Sequence, residues 1–175
     1  EASPYAIRLT AALCGAATVL TTWWMVRELF EFAAEEQPFS PPTGALWAAL
    51  FVALSYWHLS LSRLGFRAIT LPLLLTLAFA LIWRAWRRLR GSRRSDSGKA
   101  PSLPWASALA GGLALGASLY TYTAGRMALV LFVLMAAALW LAAEPYAFER
   151  RALPRVCGLT LGGALLIAAP LLLYF

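Results

Sequence analysis

Four arginines and a single histidine carry most of the chemistry that this chain can offer. Arg8, Arg63, Arg67 and Arg126 each stand at the edge of a long apolar run, and His58 lies just ahead of Arg63. Guanidinium groups stay charged at any reachable pH and grip phosphate through a bidentate fork, so the set suits an anionic phosphate ligand. The stretch "YWHLSLSRLGFR", residues 56–67, holds His58, Arg63 and Arg67. Arg63 and Arg67 share one face if "SRLGFR" is helical, while Gly65 could equally bend the chain there. A second cluster is "LYTYTAGR", residues 119–126, where Tyr120 and Tyr122 accompany Arg126. These tyrosines can ring an anionic headgroup or a sugar, or they can form an interfacial aromatic belt. Any one of the arginines, taken singly, can also simply snorkel to lipid headgroups.

The sequence offers no paired carboxylates, no His/Cys/Asp cluster at metal-ligand spacing, no phosphate-binding glycine loop and no Ser-His-Asp arrangement. What it carries is a phosphate-binding half-site, with no catalytic residue of its own and no expected metal or cofactor.

The elements that must position these groups are membrane helices. Of the 175 residues, 61% are hydrophobic and only 13% charged, and the mean hydropathy is +0.69. A bilayer-spanning helix needs roughly 17–25 mostly apolar residues. Runs of that kind predict an all-α polytopic transmembrane bundle of six spans in one domain, near residues 8–26, 43–61, 68–83, 103–122, 127–143 and 156–175. They lack the alternation of a β-barrel strand. Two are short: sixteen residues separate Arg67 from Arg84, and seventeen separate Arg126 from Glu144. Helices of roughly 24–26 Å fall short of a hydrocarbon core of about 30 Å, which puts Arg67 and Arg126 close to membrane depth.

Charge gives the orientation. Loops 27–43, 84–102 and 144–155 hold eleven basic residues, and the opposite set holds Arg8, Arg63, Arg67 and Arg126. The positive-inside rule makes the first set cytoplasmic. Seven of the eleven sit in "RAWRRLRGSRRSDSGK", expected to be a loop contacting anionic lipid rather than nucleic acid. The other cytoplasmic connectors, "EEQPFSPPTG" and "GSRRSDSGKAPSLP", read as plain turns. Trp23, Trp24, Trp83, Trp86 and Trp105 fall near the same interface and suit an aromatic belt. Gly111, Gly112 and Gly116 are small residues that let helices approach closely. Cys14 and Cys157 lie in or beside spans and read as unpaired structural thiols. The chain opens on Glu1-Ala2-Ser3-Pro4 and closes on "PLLLYF" at a span, so it is expected to be an interior piece of a longer protein.

Three stretches resemble a known family. "SPYAIRLTAALCGAATVLTTWWMVRELF", with Arg8-Leu9-Thr10-Ala11-Ala12-Leu13-Cys14-Gly15, is similar to the Arg-Leu-Pro-Ser-Ala-Leu-Phe-Gly-like opening of a span in bacterial relatives of the protein O-mannosyltransferases, glycosyltransferase family 39. "LSYWHLSLSRLGFRAITLPLLLTLAF" resembles that family's Ser-Pro-Trp-His then Ser-Arg-x-Gly-x-Arg signature, with Tyr56 in place of the usual proline. "GASLYTYTAGRMALVLFVL" resembles a third, Gly-x-Ser-x-Tyr-Thr-Tyr-x-Ala-x-Arg. The resemblance implies a C-type glycosyltransferase membrane domain, in a bacterial inner membrane, that takes a sugar from a polyprenyl-phosphate donor. The acceptor, a protein, lipid or glycan, would lie on the outer side. It also implies that the catalytic aspartate belongs to an outer loop preceding Glu1. Arg8, His58, Arg63, Arg67 and Arg126 fall on motif positions facing the cavity, where some would hold the donor phosphate, and Tyr120 and Tyr122 would line the headgroup pocket. The competing reading is a non-catalytic transporter or lipid-binding protein for an anionic cargo, marked by a charge at mid-membrane or a repeat of the unit.

Overall fold

The computed structural model describes residues 4–33, 41–64, 67–94, 105–121, 125–142 and 147–174. Every regular element among them is helical: α1 (Pro4–Ala33), α2 (Pro41–Leu54), α3 (Tyr56–Leu64), a 3-10 turn at Arg67–Ile69, α4 (Thr70–Arg94), α5 (Trp105–Ser118), α6 (Arg126–Ala142) and α7 (Ala147–Tyr174). They form two compact units, Glu1–Ala80 and Leu81–Phe175, with α4 divided between them.

Helix α1 shows why the chain folds this way. It buries small or hydroxylated residues, Ala11, Gly15, Thr18 and Thr22, at helical spacing. Its large residues point outward, with Leu13 62% and Leu20 68% exposed. In water that pattern would be inverted, but lipid is as apolar as leucine, so helices associate through close packing of small residues. The hydroxyls are satisfied within the helix, Thr18 donating to the Cys14 carbonyl and Thr22 to the Thr18 carbonyl, each at 2.8 Å. Between helices, Thr21 and Thr76 share a hydrogen bond of 2.7 Å. Helix α3 lies so close to α1 that a Cβ on Gly15 would stand 2.8 Å from the Ser62 Cβ.

The second unit follows the same logic around α5 and α7. A Cβ on Gly112 would meet the Thr160 carbonyl oxygen at 2.2 Å, and one on Gly116 the Ala164 carbonyl oxygen at 2.6 Å. Thr160 Oγ1 donates to Val156 O at 2.9 Å and also lies 3.4 Å from Ala108 O. These contacts advance together along both helices, so α5 and α7 run parallel in van der Waals contact of their backbones. Helix α6 joins them, burying Ala128 and Phe132 while Val130, Leu131, Val133 and Leu134 stay exposed.

The expectation of six spans is met in part. Among the described residues three helices are long and apolar enough to cross a bilayer: Tyr5–Phe30, Thr70–Arg88 and Leu153–Leu171. The expected span at 43–61 is two helices, Thr43–Leu54 and Tyr56–Arg63, bent by 56° at Ser55. Those at 103–122 and 127–143 fall on helices of 14 and 17 residues. Helix boundaries also depart from the charge boundaries. Helix α4 continues through Arg84, Arg87 and Arg88 to Arg94, so the first half of the expected basic loop is helix. Helix α7 likewise starts at Ala147, inside the expected loop at 144–155. A charge ends the hydrocarbon crossing but not the backbone hydrogen-bond ladder, and arginine is a good helix former.

Candidate functional site

In the first unit, Arg8 is exposed in the early turns of α1 and Arg63 is exposed in the last turn of α3. Arg67 opens the 3-10 turn that leads into α4. Gly65 and Phe66 lie outside the described residues, so the joint between Arg63 and Arg67 is not described. His58 is half-buried, with Nε2 3.1 Å from the Gly15 carbonyl oxygen. A carbonyl can only accept, so Nε2 carries the proton and Nδ1 is the nitrogen left for a ligand. The sequence reading placed His58 among the phosphate contacts. Its observed bond ties α3 to α1 beside the close approach of Gly15 to Ser62.

In the second unit, α5 ends in a turn held by Leu119, Tyr120 and Thr121 amides donating to the Gly116, Ala117 and Ser118 carbonyls at 3.1–3.2 Å. Thr121 Oγ1 adds a 2.7 Å bond to the same Ser118 oxygen. Gly125 then returns so close that a Cβ there would stand 2.3 Å from Ser118 O. Only glycine fits beside that carbonyl, and its neighbour Arg126 is thereby fixed at the start of α6, where it is exposed. The turn was not anticipated from the sequence; the available signal was the glycine immediately before the arginine in "TAGR". The Tyr120 ring is half-exposed, and its hydroxyl donates to the Ile167 carbonyl at 2.7 Å. That hydroxyl is therefore committed to α7, which leaves the ring as the part available to a ligand. Tyr122 lies outside the described residues.

Helix electrostatics separate these arginines. Each helix carries roughly half a positive charge at its N-terminus and half a negative charge at its C-terminus. Arg63 sits at a C-terminal end, where a cation is favourable and needs no other explanation. Arg8, the fifth residue of α1, lies beyond the first turn, whereas Arg67 stands just ahead of α4 and Arg126 at the first residue of α6, and neither of these two helices has an acidic residue in its first turn. There a cation adds to the helix's own positive end, at a cost of about 0.3–1 kcal/mol each. The result is positive potential that only an anion relieves.

The other end of α1 carries anchoring contacts. Arg27 lies 5.5 Å over the Trp23 ring, and Trp24 Nε1 donates to Glu28 Oε1 at 3.1 Å. Trp105 is exposed, whereas Trp86, expected in the same aromatic belt, is 4% exposed and part of the interior. Cys14 and Cys157 are free thiols, as expected. Among the described residues no group of three His, Cys, Asp or Glu could share a metal ion.

The fold makes this a helical membrane protein, with helices built to face lipid. No family model, no curated protein and no solved structure matches the chain.

Proposed function

We propose that the chain is part of a multi-pass, membrane-embedded glycosyltransferase that takes a sugar from a polyprenyl-phosphate donor on the extracytoplasmic side. The observation that carries this reading is the placement of Arg67 and Arg126 at positive helix ends, where they weaken the fold slightly and favour a bound phosphate. Their guanidinium groups would offset the negative charge that builds on the departing lipid phosphate as the glycosidic bond breaks. The aromatic face of Tyr120 would border the sugar.

Six crossings fit this reading. The parallel course of α5 and α7 supports a return crossing by α6, and the bent pair α2–α3 would supply the second crossing. On that topology α1, α4 and α6 would each descend from the outer face, the side that the charge distribution assigns to Arg8, Arg67 and Arg126. The 56° break at Ser55 favours a second reading, since broken spans also build transporter sites for anionic cargo.

The full-length protein reconstituted in liposomes with a radiolabelled polyprenyl-phosphate sugar separates the two. The enzyme reading expects label to leave the lipid for an acceptor, or for water where no acceptor is present. Label that crosses the bilayer still joined to its lipid or anionic carrier would support the transporter instead.

A further inference from the structure

The most strongly charged part of the chain lies away from the outer arginines, at the opposite ends of α4 and α7. Ala85, Ala108 and Val156 pack together as a small buried cluster in the second unit. Ala85 stands near the end of the apolar stretch Thr70–Arg88, and Val156 near the start of Leu153–Leu171. Ala108 is one turn into α5. Helix α4 thus completes its crossing where α5 and α7 begin theirs. From that level α4 runs on to Arg94, and α7 reaches back to Ala147, each extending about 13 Å further.

These two extensions carry Arg84, Arg87, Arg88, Arg90, Arg93, Arg94, Arg150, Arg151 and Arg155 against the single acid Glu149. The start of the α4 part is amphipathic: at 3.6 residues per turn, positions 84, 87 and 88 fall within an arc of about 100°. The opposite arc holds Ile82, Ala85 and Trp86, which are all buried. Arg88 and Arg155 are exposed, and Trp105, 62% exposed, opens α5 one turn before Ala108.

We propose that the two extensions form a binding surface for anionic phospholipid headgroups on the face where α4 ends and α7 begins. The surface starts within one turn of the hydrocarbon edge, so bilayer headgroups meet it before any soluble anion can. Each arginine near a negatively charged leaflet strengthens the attraction about fivefold. The proposal is independent of the outer arginines and of the transferase reading.

The test uses the full chain in nanodiscs of equal phosphatidylglycerol and phosphatidylcholine, with retained lipid identified by native mass spectrometry after mild detergent release. Wild-type protein is expected to retain phosphatidylglycerol well beyond its share. The combined Arg88→Gln, Arg90→Gln, Arg93→Gln, Arg94→Gln variant should lose that enrichment by more than about tenfold, and the corresponding four-lysine variant should keep most of it. Should the glutamine variant fail to fold, Arg150→Gln with Arg151→Gln tests the α7 half, with a smaller loss expected. Retention of both lipids in proportion to their supply, or unchanged enrichment in folded glutamine variants, overturns the proposal. Displacement of the lipid by a short oligonucleotide at moderate salt would overturn it too, assigning the surface to nucleic acid.

Discussion

Alanine in place of Arg67 or Arg126 is expected to abolish sugar transfer by the full-length protein while leaving membrane insertion intact. A charge-assisted contact to a phosphate gains strength as negative charge accumulates on it. Losing one such contact costs about 3–4 kcal/mol in the transition state, or 10²–10³ in rate. Lysine at either position should recover part of the activity, because it keeps the charge but loses the two-pronged geometry. Arg63→Ala is the internal comparison. Its position at the C-terminal end of α3 already accounts for its charge, so its loss should lower stability by less than about 1 kcal/mol and turnover only modestly. Measured turnover of the three alanine variants, normalised to inserted protein, checks the ranking. Equal losses at all three positions would show that helix ends do not sort these arginines.

The second large effect concerns the fold. Gly112→Val should separate α5 from α7, because even the first atom of the new side chain would stand 2.2 Å from the Thr160 carbonyl oxygen. Backbone cannot rotate away as a side chain can, so the cost should reach about 3 kcal/mol, the upper part of the overpacking range. Neighbouring glycines give contrasting expectations. A Cβ on Gly163 would meet Leu109 O at 2.9 Å, whereas one on Gly162 would meet nothing within 4 Å. Thermal unfolding in detergent should therefore show Gly112→Val strongly destabilised, Gly163→Val also impaired, and Gly162→Val close to wild type.

The membrane class was readable from composition because hydrocarbon tolerates few charges, and runs of apolar residues report that constraint directly. The role of glycines 112 and 116 was readable for the same reason, since close helix approach in lipid calls for small residues. Helix ends were not readable. Arg84 ends an apolar run without ending a helix, because solvation and backbone hydrogen bonding obey different rules. The bend at Ser55 has neither glycine nor proline to mark it. For the candidate site, residue types were legible but partners were not. No periodicity could show that His58 would bond to Gly15, or that the Tyr120 hydroxyl would turn to Ile167. Nor could spacing show that Arg126 follows a glycine pressed against a carbonyl.

The central claim is that the outer arginines hold a lipid-borne phosphate, and equilibrium binding measures it most directly. Full-length protein in nanodiscs would be titrated with a fluorescent polyprenyl phosphate, using the uncharged polyprenol as competitor. The account predicts saturable binding that polyprenol does not displace and that weakens at least about tenfold in Arg67→Ala and in Arg126→Ala, the loss of one charged hydrogen bond. Polyprenol competing as well as its phosphate, or both variants binding like the wild type, would contradict it.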